Sequence, residues 1–172
     1  NLTILPSGVG VLVNDLAGQI NVRNVDLFGN NYGVQINNST GTINLNSVRI
    51  ADSISSNLYI TGGSAVVNVT NNSSLTQNST GALVSVEGGH TGTIDISAET
   101  NLTANSGDGF KFDNADGNYS FRNAISLDGT SNGIDIGNGT DGDIEFYGPV
   151  AINDSQRSGI VVIGSTGNTN FA

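Results

Sequence analysis

A small residue followed by apolar–any–apolar returns seven times along this chain, and that recurrence constrains its fold more than any other feature. It stands at Gly8-Val9-Gly10-Val11, Gly33-Val34-Gln35-Ile36, Asn57-Leu58-Tyr59-Ile60 and Leu83-Val84-Ser85-Val86. It continues at Gly109-Phe110-Lys111-Phe112, Gly133-Ile134-Asp135-Ile136 and Gly159-Ile160-Val161-Val162. The first apolar positions are 9, 34, 58, 84, 110, 134 and 160, about 24 to 26 residues apart, which is a solenoid period. A second set runs in phase with it: Ile20/Val22, Ile43/Leu45, Val67/Val69, Ile94/Ile96, Tyr119/Phe121, Ile144/Phe146 and the restart at Thr169-Asn170-Phe171. A third falls between them: Leu2/Ile4, Val25/Leu27, Val48/Ile50, a lone Leu75, a lone Leu102, Ile125/Leu127 and Val150/Ile152.

Each repeat thus holds three short segments of period two, the signature of strands with one buried face. Gly, Asn, Asp, Ser and Thr lie between them, residues that supply left-handed backbone and local hydrogen bonds at corners. Three strands per repeat and no helical segment predict an all-β, single-stranded parallel β-helix of about seven coils of about 25 residues, forming one unit over 1–172. A stack of hairpins would not keep this three-part phase. A leucine-rich repeat would need an LxxLxL run and a helical return, and neither is present.

Composition removes other classes. The chain has 172 residues, with 24 Gly, 2 Pro and no Cys, Met or Trp. Without Cys there is no disulfide or thiolate metal site. Five Lys plus Arg against fifteen Asp plus Glu, a net charge of −10, argue against nucleic acid as a partner. No apolar run reaches the roughly 18 to 20 residues of a membrane-spanning helix. About a third of the chain is Asn, Ser or Thr. So polar a chain would read as disordered were its 36% hydrophobic residues not so regularly placed. It opens on Asn1-Leu2-Thr3 rather than Met, which reads as a cut or processed end.

The stretch Gly33-Val34-Gln35-Ile36-Asn37-Asn38-Ser39 resembles the repeat unit of right-handed parallel β-helix proteins, the pectate-lyase-like superfamily. Coils opening as Gly41-Thr42-Ile43, Gly92-Thr93-Ile94 and Gly142-Asp143-Ile144 are similar in style to bacterial surface β-helices: autotransporter passengers, filamentous adhesins and large surface repeat proteins. The resemblance covers essentially the whole chain. It implies right-handed winding and an extracellular or cell-surface location.

Outward side chains of such a solenoid stack in columns. One is Asn21, Asn44, Asn68, Asp95, Ser120, Glu145 and Asn170, whose amides can hydrogen-bond up the rod. Another is Gln35, Tyr59, Ser85, Lys111, Asp135 and Val161, where Lys111 is expected to pair with Asp135, as Asp26 is with Arg49. A third is Asn37, Thr61, Glu87, Asp113, Gly137 and Ile163. Glu87 and Asp113 there, with Asp116, Asp141 and Asp143 from nearby turns, form a candidate acidic corner. It reads as a solvated face, a Ca²⁺ site of hard oxygen ligands or, least of all, a carboxylate pair for glycoside cleavage. The repeats lack the glycine- and aspartate-rich nonapeptide of calcium-binding β-rolls.

An enzyme reading finds little. The resemblance would require Asn-x-Asp, Asp-Asp, Gly-His-Gly and Arg-x-Lys for a polygalacturonase-like site, or a Lys or Arg base beside calcium carboxylates for a lyase. There is no Asp-Asp, and no Arg joins Lys111 in its column. His90, in Gly88-Gly89-His90-Thr91, is the only histidine; it is expected in an exposed turn with no partner for a triad. No recurring Thr-x-Thr column marks an ice-binding face. Asn-x-Ser/Thr sequons are frequent, among them those at Asn38, Asn71, Asn78, Asn101, Asn118, Asn138 and Asn153, as an Asn/Ser/Thr-rich chain produces by chance.

Neither terminus carries a polar cap, so the expectation is either a piece of a longer solenoid or a unit stacking end to end on copies of itself. The function expected is a non-enzymatic stalk or fibre with an adhesive role, on glycans or other surface polymers. The alternatives are a non-catalytic part of a carbohydrate-active β-helix, as in polysaccharide lyases or tailspikes, and a calcium-stabilised assembly module.

Overall fold

The computed structural model describes residues 2–4 and 8–172. The chain is a parallel β-solenoid of seven coils, and every coil contributes one strand to each of three seven-stranded sheets. Sheet one holds Leu2–Ile4, Val25–Phe28, Arg49–Ala51, Ser74–Gln77, Asn101–Ala104, Ile125–Asp128 and Val150–Asn153. Sheet two holds Val9–Asn14, Tyr32–Asn37, Ser56–Thr61, Ala82–His90, Asp108–Ala115, Asn132–Gly137 and Ser158–Ile163. Sheet three holds Gln19–Arg23, Thr42–Asn46, Val66–Thr70, Thr93–Ile96, Asn118–Phe121, Asp143–Phe146 and Thr169–Phe171. Neighbouring strands are one coil apart in sequence, so every ladder bond runs along the rod axis. At about 4.8 Å per coil the rod is roughly 34 Å long.

The period-two apolar residues point inward and make one continuous core. Val34, Leu58, Val84, Phe110 and Ile134 are each 0% exposed in sheet two, as are Ile43, Val67 and Ile144 in sheet three. Coils 5 and 6 add an aromatic cluster. Phe110 meets Phe121 edge-on at 4.8 Å and Phe146 at 5.5 Å, and Phe121 stacks on Phe146 at 5.1 Å. Such offset and edge contacts add to the area they bury.

The corners have a specific backbone requirement. A residue near the end of the sheet-two strand or just after it is left-handed in all seven coils: Asp15, Asn38, Gly62, Gly88, Asn114, Asn138 and Gly164, with φ between 48° and 67°. Only Gly, Asn and Asp adopt that region at low cost, which is why these types recur there. Buried hydroxyls complete the corners. Ser39 Oγ donates to the Asn37 carbonyl and accepts from Leu16 N–H one coil away, each at 3.1 Å. Ser73 does the same between Thr70 (2.6 Å) and Val48 (3.1 Å), and Thr140 between Gly137 (2.8 Å) and Ala115 (3.3 Å).

The registers correct the apolar sets in two places. In coil 1, Val11 and Val13 align with Val34 and Ile36, while Val9 faces Tyr32; the sheet-two pair is therefore Val11/Val13, not Val9/Val11. In sheet one, Leu27, Ile50, Leu75, Leu102, Ile125 and Val150 form one column. Ile125 thus continues Leu27, and Leu127 sits two residues further on, above Ala104 and Gln77. Leu75 looked solitary because its neighbours inside are polar: Ser73 on one side and Gln77, 0% exposed, on the other. The Gln77 amide is fully engaged, donating to Ser53 O (2.9 Å) and accepting from Ser79 N–H (3.0 Å). A satisfied buried amide is tolerated where an unpaired one would not be.

Candidate functional site

The outward columns follow the expected registers: Asn21–Asn44–Asn68–Asp95–Ser120–Glu145–Asn170 on sheet three, and those through Tyr59 and Glu87 on sheet two. The asparagine ladder forms, with Asn44 Nδ2 donating to Asn21 Oδ1 and Asn68 Nδ2 to Asn44 Oδ1, both at 2.9 Å. A second amide contact joins Asn37 to Asn14 at 2.7 Å. These amides are spent on one another and hold coils in register.

On sheet two the outer face is not flat. Tyr32 of coil 2 and Tyr59 of coil 3 lie with ring centroids 4.9 Å apart, tilted by 44°. With Ile54, Thr80, Ser85, Glu87, Asp108 and Lys111 they line an open cleft of about 250 Å³. Its floor is the sheet, and its wall is the corner between sheets one and two. Ile54 stands 57% exposed on the rim.

A half-buried ion pair closes the cleft at coils 4 and 5. Lys111 Nζ donates to Glu87 Oε1 at 2.8 Å and lies 3.7 Å from Asp113 Oδ2. Ser85 Oγ donates to the same Glu87 oxygen at 2.7 Å, and the Tyr59 hydroxyl donates to Oε2 at 3.4 Å. Burial works to raise the Glu87 pKa, yet the Lys111 ammonium and the Ser85 hydroxyl outweigh it and hold the carboxyl below its usual value. Burial works to lower Lys111, and Glu87 reverses that, leaving the ammonium above its ordinary value. Tyr59 is raised, by burial first and by the Glu87 charge second. Glu87 and Lys111 are therefore both charged at neutral pH, an oriented pair rather than an acid–base couple poised near neutrality.

The five carboxylates of the expected acidic corner divide into three places. Glu87 and Asp113 are neighbours across coils 4 and 5, with the Lys111 ammonium against both. Asp116 and Asp141 stack in the turns between sheets two and three, where Asp116 Oδ1 accepts from Asp141 N–H at 3.2 Å. Asp143 begins the sheet-three strand and accepts from Asn168 Nδ2 at 2.9 Å. Among the described residues no three of His, Cys, Asp or Glu are grouped closely enough to hold a metal ion. The sequence spacing placed these residues on adjacent coils but did not show the lysine between two of them. Lys111 also does not pair with Asp135, its neighbour in register; Glu87 is the partner. Arg49 is likewise beside Asp26 in register, and its guanidinium lies over the Phe28 ring at 5.9 Å.

His90 differs most from expectation. It is 0% exposed, at a bulge where the sheet-two register shifts between Glu87 and His90. The left-handed Gly88 and Gly89 (φ 66° and 75°) let the strand kink and turn the imidazole inward. Its core-facing neighbours at this corner, Ala65 and Ala115, are small and fully buried. The Tyr119 hydroxyl donates to the His90 carbonyl at 2.8 Å and accepts from Gly117 N–H at 2.9 Å. The same hydroxyl lies 3.2 Å from His90 Nδ1. The other ring nitrogen, Nε2, is buried with no hydrogen-bond partner. Burial lowers the His90 pKa; the nearby Ala65 carbonyl, short of a full hydrogen bond, opposes this only in part.

Tyr32 was absent from the outward columns read in the sequence. The available signal was the scarcity of aromatics: the chain has four tyrosines, and two of them are one coil apart at the start and middle of the sheet-two segment. All seven sequon asparagines named above are exposed, at corners or at strand ends. The chain matches no protein-family model, no curated protein and no solved structure with which it was compared.

Proposed function

We propose that the chain is a structural rod segment of the cell exterior, a stalk or fibre element in which coils of one rod stack head to tail on those of the next. The observation that carries this reading is the unbroken stack of coils, each giving one strand to each of three seven-stranded parallel sheets around one continuous core. Ile134 and Ile136 in coil 6 are 0% exposed, whereas Ile160 and Val162, their register partners in coil 7, are 48% and 55% exposed. Phe171, stacked at 4.9 Å on Phe146, is 46% exposed. Another coil of the same kind, of this chain or of a copy, would cover these residues and pair the ladder edges. The acidic, hydroxyl- and amide-rich sides keep rods apart laterally and carry the adhesive contacts. The resemblance of the repeats to right-handed, pectate-lyase-like β-helices and to bacterial surface β-helices supports the extracellular assignment.

The test is negative-stain electron microscopy and sedimentation of the purified chain over a range of concentrations. Filaments of uniform width are expected, and Val162→Asp, which places a carboxylate on the already exposed end, converts them to short particles with unchanged circular dichroism. Discrete short particles from the unaltered chain at every concentration overturn head-to-tail stacking.

A further inference from the structure

The sheet-two cleft brings two aromatic faces, an ordered ion pair and hydroxyls together. We propose that it binds a neutral glycosyl unit of a glycan chain, with Tyr32 and Tyr59 as the apolar platform and Glu87, Lys111 and Asp108 as hydrogen-bonding partners. The inference rests on the reading of the rod's sides as adhesive, and gives that adhesion a place and a ligand class.

Each part of the geometry narrows the ligand. The Tyr32 and Tyr59 rings already touch, at 4.9 Å and 44°, so no slot separates them for a planar aromatic ligand to enter. What they offer is a stepped hydrophobic surface two coils long, extended by the exposed Ile54. Beside it stand fixed polar groups. Glu87 is held by Ser85, Lys111 and Tyr59, so its orientation is set before anything binds, and little ordering remains to be done on binding. A ligand with one apolar face and a rim of hydroxyls matches this surface; pyranose rings have that amphipathic form. The volume of about 250 Å³ lies below the range of a drug-sized pocket and suits a single ring of a longer chain passing through an open cleft.

Charge and backbone exclude other occupants. The cleft sets one ammonium against the carboxylates of Glu87 and Asp108, on a molecule of net charge −10. A polyuronate, a sulfated glycan or a nucleic acid meets repulsion there. An extended peptide adding to the sheet would need free backbone edges, but the strands bordering the cleft are paired on both sides by neighbouring coils. A divalent cation meets the Lys111 ammonium already seated between Glu87 and Asp113.

The test is isothermal titration of the intact chain with four hexasaccharides: β-1,4-glucan, β-1,4-mannan, α-1,4-glucan and oligogalacturonate. Tyrosine fluorescence serves as a second readout, undisturbed because the chain has no Trp. Binding of at least one neutral hexaose is expected, with no binding of oligogalacturonate. Tyr59→Ala should weaken it about tenfold, while Tyr59→Phe, which keeps the ring, should stay within about threefold of the unaltered chain. Failure of all three neutral hexaoses to bind, preference for the uronate, or equal binding by Tyr59→Ala overturns the proposal. Because binding is read on the dispersed chain, that result would leave filament formation untouched, and absence of filaments would leave saccharide binding untouched.

Discussion

A single histidine sealed in a solenoid core makes its own titration visible. His90 is neutral when folded, and burial keeps its pKa below that of the unfolded chain, about 6.5. Below that pH the unfolded state binds the proton and the folded state resists it. The stability His90 contributes is therefore complete above about pH 6.5 and is lost as the pH falls through the folded-state value. The melting temperature is expected to fall between about pH 7 and pH 5, with a smaller drop in His90→Phe, and the imidazole signal in NMR should titrate below 6.5. An imidazole titrating at or above the unfolded value would contradict the burial. Nothing in Gly88-Gly89-His90 as a string separates a kinked strand from an exposed turn, since both use paired glycines. The deciding partner, the Tyr119 hydroxyl at 3.2 Å, is 29 residues away. Lys111 shows the same limit: its column was legible, but its choice of Glu87 over Asp135 depends on rotamers.

At the level of strands and ladders, the sequence was far more informative. An inward pair followed by an outward polar residue fixes register, because a one-residue slip would turn every side chain to the wrong face. The sheet-three column from Asn21 to Asn170 was read without error for that reason. Sheet one was misaligned where Gln77, Ser73 and Thr100 stand at core positions, because polar residues there interrupt the only signal available. The same dependence on packing predicts how a ladder fails. Phe121 touches Phe110, Phe112 and Phe146 and is 0% exposed. Phe121→Ala should therefore cost about 3–5 kcal/mol in chemical denaturation. Asn44→Ala, which removes both amide bonds of a half-exposed residue, should cost only about 1–2 kcal/mol. A comparable loss from the two variants would mean that the amide ladder, rather than the core, carries the register.

For the molecule as a whole, stability is a sum over coils and the interfaces between them. Inner coils have two neighbours and end coils one, so amide protection should rise from coil 1 to coils 3–5 and fall again towards coil 7. Hydrogen exchange read by coil would check this; uniform protection would show a single cooperative unit instead. The all-parallel architecture has a further consequence, in mechanics. Every strand is bonded only to strands one coil before and after it, and consecutive coils are joined covalently at a single crossing. A pull on the two ends opens the ladder bonds along their own direction, one coil face at a time, so the rod peels rather than shears. Each released coil of about 25 residues would add roughly 85 Å of slack. Under tension such a rod lengthens coil by coil at modest force, and so behaves as an extensible tether where a sheared sheet would act as a rigid strut.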